Sequence, residues 1–122
     1  MAKAKLIQKK VVMSNRDIIK YQLLTHCFTR QIRLSNSELD CITLLAALGE
    51  IELSQFCNIT VDEKIFKTAQ TVRNFLTKAS KINLVNKKGT NKKKILLHKD
   101  LQVETKGNII LDYKMYHVTQ EQ

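Results

Sequence analysis

The chain has no proline and no tryptophan, and its 122 residues include just three glycines, Gly49, Gly89 and Gly107. So few breakers argue against long irregular loops and leave each glycine as the mark of a turn. Cysteine is scarce as well: Cys27, Cys41 and Cys57 make an odd count with no Cys-x-x-Cys pair, which speaks against a disulfide framework or a zinc ribbon. Each lies among apolar neighbours and reads as a buried, reduced thiol of a cytoplasmic protein. No apolar run approaches the ~20 residues that cross a bilayer, so no membrane is expected as a partner. The first ten residues carry charge without an apolar segment, so no secretory signal is expected. Catalytic signatures are missing too. No Gly-x-Gly-x-x-Gly, P-loop, His-Glu-x-x-His or Gly-x-Ser-x-Gly occurs. His26, His98 and His117 stand apart, and although His26 adjoins Cys27, successive helical residues point about 100° apart. Asp62 and Glu63 read as surface charge without metal-ligand spacing. The expectation is therefore a protein with no catalytic residue, no metal and no cofactor, and not an enzyme.

What the chain does have is charge, and it is segregated. The net charge is +10. Residues 1–33 hold eight Lys/Arg against one acid, residues 34–66 one Lys against six acids, residues 67–99 ten Lys/Arg and no acid, and residues 100–122 two Lys against four acids. A stretch of ten cations with no anion projects a strong local field, which suits a polyanion such as nucleic acid phosphate. Apolar residues make up 43% of the chain, enough for one ordinary core without disulfide or metal support.

Periodicity divides the chain into a basic arm or edge strand over 1–13, a helical domain over 14–98 and a strand-forming extension over 99–122. Ser14 or Asn15 caps a helix that is expected to run over 15–32, with Ile18, Ile19, Leu23, His26, Cys27 and Arg30 sharing one face. Ser35-Asn36-Ser37-Glu38 has the Ser-x-x-Glu form of a capping box. It opens a helix over 36–48 with Leu39, Ile42, Leu45, Ala46 and Leu48 as its apolar stripe, and Gly49 stands where the helix end favours a left-handed residue. Glu50 to Leu53 reads as the opening of a helix over 51–57, and residues 58–66 either extend it or form an insertion. Thr68 caps a helix over 68–83 whose inner face is Ala69, Val72, Leu76, Ala79 and Ile82. Two apolar runs around a Gly/Asn/Lys turn predict a β-hairpin over 84–98, and a late strand is expected over 108–118.

Helices followed by a hairpin are the order of a winged helix-turn-helix, an α+β fold in which one helix enters the major groove and the hairpin, or wing, lies beside it. The helix over 68–83 has suitable chemistry on its outer face. Gln70, Arg73, Asn74 and Thr77 can pair with base edges, whereas Lys78 and Lys81 suit phosphate. Lys87, Lys88, Lys92, Lys93 and Lys94 make the wing a sequence-independent phosphate clamp. Residues 70–85, with the stretch Thr-Val-Arg-Asn-Phe-Leu, and residues 34–49 resemble helices of bacterial helix-turn-helix regulators, a likeness that covers 34–98 and departs at 58–67. That resemblance implies duplex DNA as the partner. The chain also resembles, in overall style, small proteins of crAss-like tailed phages of Bacteroidetes, through Leu-Ser-x-x-Glu-Leu-Asp-Cys and Thr-Val-Arg-Asn-Phe-Leu-Thr-Lys. This second resemblance implies an alternative role: a virion component of the neck, tail ring or capsid, in the host cytoplasm or the virion. There the fold would serve contacts with phage structural proteins or a homo-oligomer, the acidic middle of one copy meeting the basic ends of the next.

Overall fold

The computed structural model describes residues 2–12, 14–106 and 110–120. The elements run β1 (Ala2–Val12), α1 (Asn15–Thr29), α2 (Asn36–Leu48), β2 (Ile51–Glu52), α3 (Leu53–Asp62), α4 (Ala69–Lys81), β3 (Val85–Lys88), β4 (Lys94–Leu97) and β5 (Ile110–Gln120). The strands form two sheets, an antiparallel ribbon of β1 with β5 and a small antiparallel sheet in the order β2-β4-β3. Four helices and that three-stranded sheet make a small α+β winged-helix domain, as the order of elements in the sequence implies.

Helix starts follow their caps. The Ser14 hydroxyl oxygen accepts from Asp17 N–H at the head of α1, and Thr68 does the same for Thr71 N–H at the head of α4. At α2 the capping box is complete: Ser35 Oγ accepts from Glu38 N–H at 3.2 Å, and Glu38 Oε1 accepts from Ser35 N–H at 2.9 Å. Each such cap satisfies a donor that the helix itself cannot, a contribution of ~1 kcal/mol.

Helix ends are less expected. Gln31, Lys64 and Asn83 have φ of 58°, 60° and 61°, so three helices end on left-handed residues that are not glycine. At each end two backbone bonds close the turn in the Schellman pattern: Gln31 N–H to Phe28 O with Ile32 N–H to Cys27 O, Lys64 N–H to Val61 O with Ile65 N–H to Thr60 O, and Asn83 N–H to Ser80 O with Leu84 N–H to Ala79 O. This is why α1 stops at Thr29 and α4 at Lys81 rather than near 32 and 83. Gly49, by contrast, closes α2 as anticipated, with a positive φ of 77° and its N–H on Leu45 O at 2.9 Å.

The segment after Gly49 differs from the expected helix opening. Ile51 and Glu52 are a short strand, held by pairing with Ile95 and Lys94 of β4, and α3 begins at Leu53 and continues to Asp62. Residues 58–62 therefore extend the helix.

The core joins every helix to the wing. Leu23 of α1, Ile42, Leu44 and Leu45 of α2, Phe56 of α3, Val72 and Leu76 of α4, and Leu84 and Ile95 at the hairpin are all buried. Burying one such side chain contributes roughly 1.5–3 kcal/mol. The expected faces hold at Ile18, Ile19, Leu23, Cys27, Leu39, Ile42, Leu45, Val72, Leu76 and Ala79, all buried. Leu48 and Ala69 are exposed instead, because each lies at the solvent end of its helix, and His26, Arg30, Ala46 and Ile82 are half-buried. Cys41, Leu44 and Phe75 join the core as well. α2 is buried on more of its circumference than one stripe because it packs against α1, α3 and β4. The buried Thr43 and Thr60 hydroxyls donate to Leu39 O and Phe56 O, so neither is left without a partner.

After β4 the chain crosses α1. Gln22 Nε2 donates to Glu104 O at 2.9 Å and Glu104 N–H donates to Gln22 Oε1 at 2.8 Å; Arg30 donates to Asp100 O at 3.2 Å. His26 Nε2 lies 3.1 Å from Gln102 O. Leu101, buried, anchors this segment in the core. β5 spans Ile110–Gln120; Asn108 and Ile109 at the start of the expected late strand, and Gly107, lie outside the described residues.

Candidate nucleic-acid interface

α4 sorts its residues by period. Val72, Phe75, Leu76 and Ala79 face the core, and Gln70, Arg73, Asn74, Thr77, Lys78 and Lys81 are exposed. Core anchoring of the inner face fixes the orientation of the outer one. Three of the outer side chains are pre-ordered: Gln70 Nε2 donates to Asn74 Oδ1 at 2.9 Å, one turn apart, and the Thr77 hydroxyl donates to Arg73 O at 3.0 Å.

The wing stands beside this face. β3 pairs with β4 from Val85↔Leu97 to Lys88↔Lys94, and the tip turns through Gly89 and a 3-10 turn over Thr90–Lys92. Gly89 has φ 88°, Asn91 56° and Lys92 54°, a run of positive dihedrals that folds the tip back tightly. Lys87 Nζ donates to Thr77 Oγ1 at 3.4 Å and ties the wing to α4. Lys88, Lys92, Lys93 and Lys94 are exposed, and Lys87 is half-buried. Between the wing, α4 and the start of α3 lies an open cleft of about 620 Å³. Arg73, Lys93, Lys94 and Thr90 line it, together with Glu52.

The structure thus brings Gln70, Arg73, Asn74, Thr77, Lys78, Lys81 and the wing lysines onto adjoining surfaces, and it shows a partial neutralisation that the linear charge pattern conceals. Lys78 pairs with Glu38 at 3.3 Å and Lys88 with Glu50 at 3.0 Å. Arg16 pairs with Glu63 at 2.6 Å and Lys20 with Asp40 at 2.8 Å. Four of the six acids of residues 34–66 are therefore paired within the chain, which weakens the charge argument for joining copies acidic middle to basic end. The side chains of Arg73, Lys81, Lys92, Lys93 and Lys94 make no ion pair among the described residues. The Glu38 carboxyl is pulled two ways: partial burial pushes it up, and the Ser35 N–H, the Lys78 ammonium and the Ser35 hydroxyl outweigh that and hold it below the usual carboxylate range.

The cysteines stay out of this surface. Burial raises the thiols of Cys27 and Cys57 against the opposing pull of Arg30 and Arg73 respectively. Burial, with Cys57 and Glu38 adding to it, pushes Cys41 up to about 12. All three remain protonated thiols near neutral pH, poor nucleophiles and poor metal ligands. Among the described residues, no three His, Cys, Asp or Glu side chains converge as a metal site requires, and no helix is long and apolar enough to cross a membrane. His98 Nδ1 accepts from Asp100 N–H at 3.1 Å, a local turn contact.

No protein-family model matches the chain, and no curated protein matches it. A solved structure does: a zinc uptake regulator complexed with zinc and DNA, at 18% identity and a TM-score of 0.58, over 76% of this chain and 62% of that one. The chain thus spans less than two thirds of that regulator's length. At this identity the likeness shows the fold, in keeping with the winged-helix resemblance, and it lends no support to the resemblance to phage proteins.

Proposed function

We propose that this chain is a non-enzymatic winged-helix protein that binds duplex DNA through α4 and its lysine-rich wing. The observation that carries the reading is the cleft between them. Arg73, Lys93 and Lys94 line it; with Lys81 and Lys92 they are cations without an ion-pair partner among the described residues, on a face where Gln70, Asn74 and Thr77 are exposed. A helix face with amides and one arginine supplies the donors and acceptors that read base edges, and flanking lysines supply the phosphate contacts that hold it in place. In this reading Arg73, Gln70, Asn74 and Thr77 meet bases. Lys81, Lys92, Lys93 and Lys94 meet phosphate directly, Lys87 does so with the ammonium hydrogens its Thr77 contact leaves over, and Lys78 and Lys88 do so by exchanging their carboxylate partners. Surface ion pairs of this kind are worth ~0–1 kcal/mol, so the exchange costs little. The solved regulator of the same fold, which is complexed with DNA, supports the assignment.

The test is Arg73→Ala, with affinity measured on a selected preferred duplex and on random duplex. Arg73 is exposed and opposite the buried stripe of α4, so the fold is retained. The expected loss is roughly 1–3 kcal/mol on the preferred site and much less on random DNA. Equal affinities for wild type and variant on both duplexes would remove α4 from the interface.

A further inference from the structure

We infer that the outer edge of β5 is a self-association surface that pairs antiparallel with β5 of a second copy of this chain, joining two ribbons into a four-stranded sheet. β1 and β5 form a two-stranded ribbon over eleven residue pairs, from Ala2↔Gln120 to Val12↔Ile110, about 36 Å long at ~3.3 Å per residue. Two strands alone are marginal in water, and three or more with an apolar face are what gives a sheet independent stability. The ribbon carries such a face without covering it. Leu6 and Tyr116 are directly opposite in register and 48% and 64% exposed; Val118, on the same side, is 53% exposed. Each strand makes its extensive contacts with the other rather than with the helices, so among the described residues both outer edges remain open to another strand.

The two edges are not equivalent, and their charges choose between them. β1 carries Lys3, Lys5, Lys9 and Lys10 and no acid. Any antiparallel register of β1 with itself can oppose lysine only with lysine or a neutral residue, the arrangement that keeps sheet edges apart. β5 carries one acid and one lysine two residues apart, Asp112 and Lys114, both exposed. An antiparallel register of β5 with itself centred on residue 113 sets Asp112 of one copy opposite Lys114 of the other, and by the twofold symmetry the pair occurs twice. That register overlaps residues 110–116 and places Tyr116 at the rim of the joined sheet, beside Leu6 of its own copy. A register centred on residue 115 sets Asp112 against Val118 and Lys114 against Tyr116 and gains no charge pairing. This inference stands apart from the DNA reading and does not depend on it.

Sedimentation velocity of the full chain across a concentration series tests it, with charge exchange as the discriminator. Wild type is expected to form a dimer. Lys114→Asp sets acid against acid at both pairs and is expected to weaken the dimer about tenfold or more, like charges directly opposite being unfavourable. Within its own chain residue 114 faces the neutral Gln8, so this variant sets no like charges directly opposite inside the ribbon, and circular dichroism checks its fold. Asp112 faces Lys10 within its own chain, so Asp112→Lys also sets two lysines opposite inside the ribbon and circular dichroism must show it folded. It is then expected to dissociate likewise, and an equimolar mixture of the two variants to recover a heterodimer, because lysine meets acid at both pairs between copies. The inference is overturned by a wild type that stays monomeric throughout the series. It is also overturned by Lys114→Asp associating as strongly as wild type, or by a mixture of folded variants that associates no better than either alone.

Discussion

The Lys87 ammonium of β3 donates to the Thr77 hydroxyl of α4 at 3.4 Å, so the strand that leads into the wing is fastened to the helix beside it. Thr77 in turn donates to the Arg73 carbonyl one turn back. Helix face and wing therefore form one surface whose relative placement is fixed from beneath by Leu76, Leu84 and Ile95 and from above by this contact. The sequence offers Thr77 and Lys87 as two separate candidates for DNA contact; the fold joins them by a hydrogen bond.

Leu76 is fully buried at the junction of α4 with the rest of the core. Leu76→Ala is expected to destabilise the fold by roughly 2–5 kcal/mol, from lost transfer energy and the cavity left behind. Urea or thermal unfolding measures it. An unchanged midpoint would contradict the placement of that helix face.

The left-handed residues at the ends of α1, α3 and α4 give a second, more local expectation. An L-residue with this backbone conformation costs roughly 1–2 kcal/mol that glycine does not incur, partly offset by glycine's larger loss of freedom on folding. Gln31 and Lys64 are exposed, so little packing is lost on replacing them. Gln31→Gly and Lys64→Gly are each expected to stabilise by about 0.5–1 kcal/mol, and Asn83→Gly by less because asparagine tolerates this region. Lower melting temperatures for the first two would contradict the Schellman assignment.

Those same positions explain what the sequence concealed. The helix starts were legible because Ser35 with Glu38, and Thr68, are chemical signals written within four residues of the element they begin. The ends of α1 and α4 were not, because Gln31 and Asn83 occupy positions that glycine usually marks. Ile51 and Glu52 read as helix because their strand partners, Ile95 and Lys94, lie more than forty residues away. The pairing of β1 with β5 spans nearly the whole chain and leaves no local trace. The outer face of α4 followed from its period alone. The partial cancellation of its charge by Glu38, and of the wing's by Glu50, came only from folding.

Glu38 makes stability depend on acid pH. Its folded carboxyl sits below the ordinary value of 4.5, so it contributes stability that is present above that value and is lost as pH falls through the folded value. Wild type should lose stability below about pH 4.5 more steeply than Glu38→Gln. Glutamine can still close the capping box but carries no charge for Lys78. Denaturant midpoints measured from pH 7 to pH 3 should therefore differ most at neutral pH and converge in acid. Parallel curves for the two proteins would contradict the Glu38–Lys78 contribution.

The central claim, that the wing and α4 bind duplex DNA through phosphate, is tested most directly by the salt dependence of affinity for random duplex. The lysines assigned to phosphate release counterions on binding, at about 0.9 per contact. With four to seven of them engaged, log affinity should fall against log salt with a slope of about −4 to −6. Replacing Lys92, Lys93 and Lys94 together with glutamine should leave the fold intact, weaken binding on all sequences, and reduce the magnitude of that slope by up to about three. A wild-type protein that fails to bind duplex DNA at low salt, or a slope unchanged in the triple variant, would contradict the account.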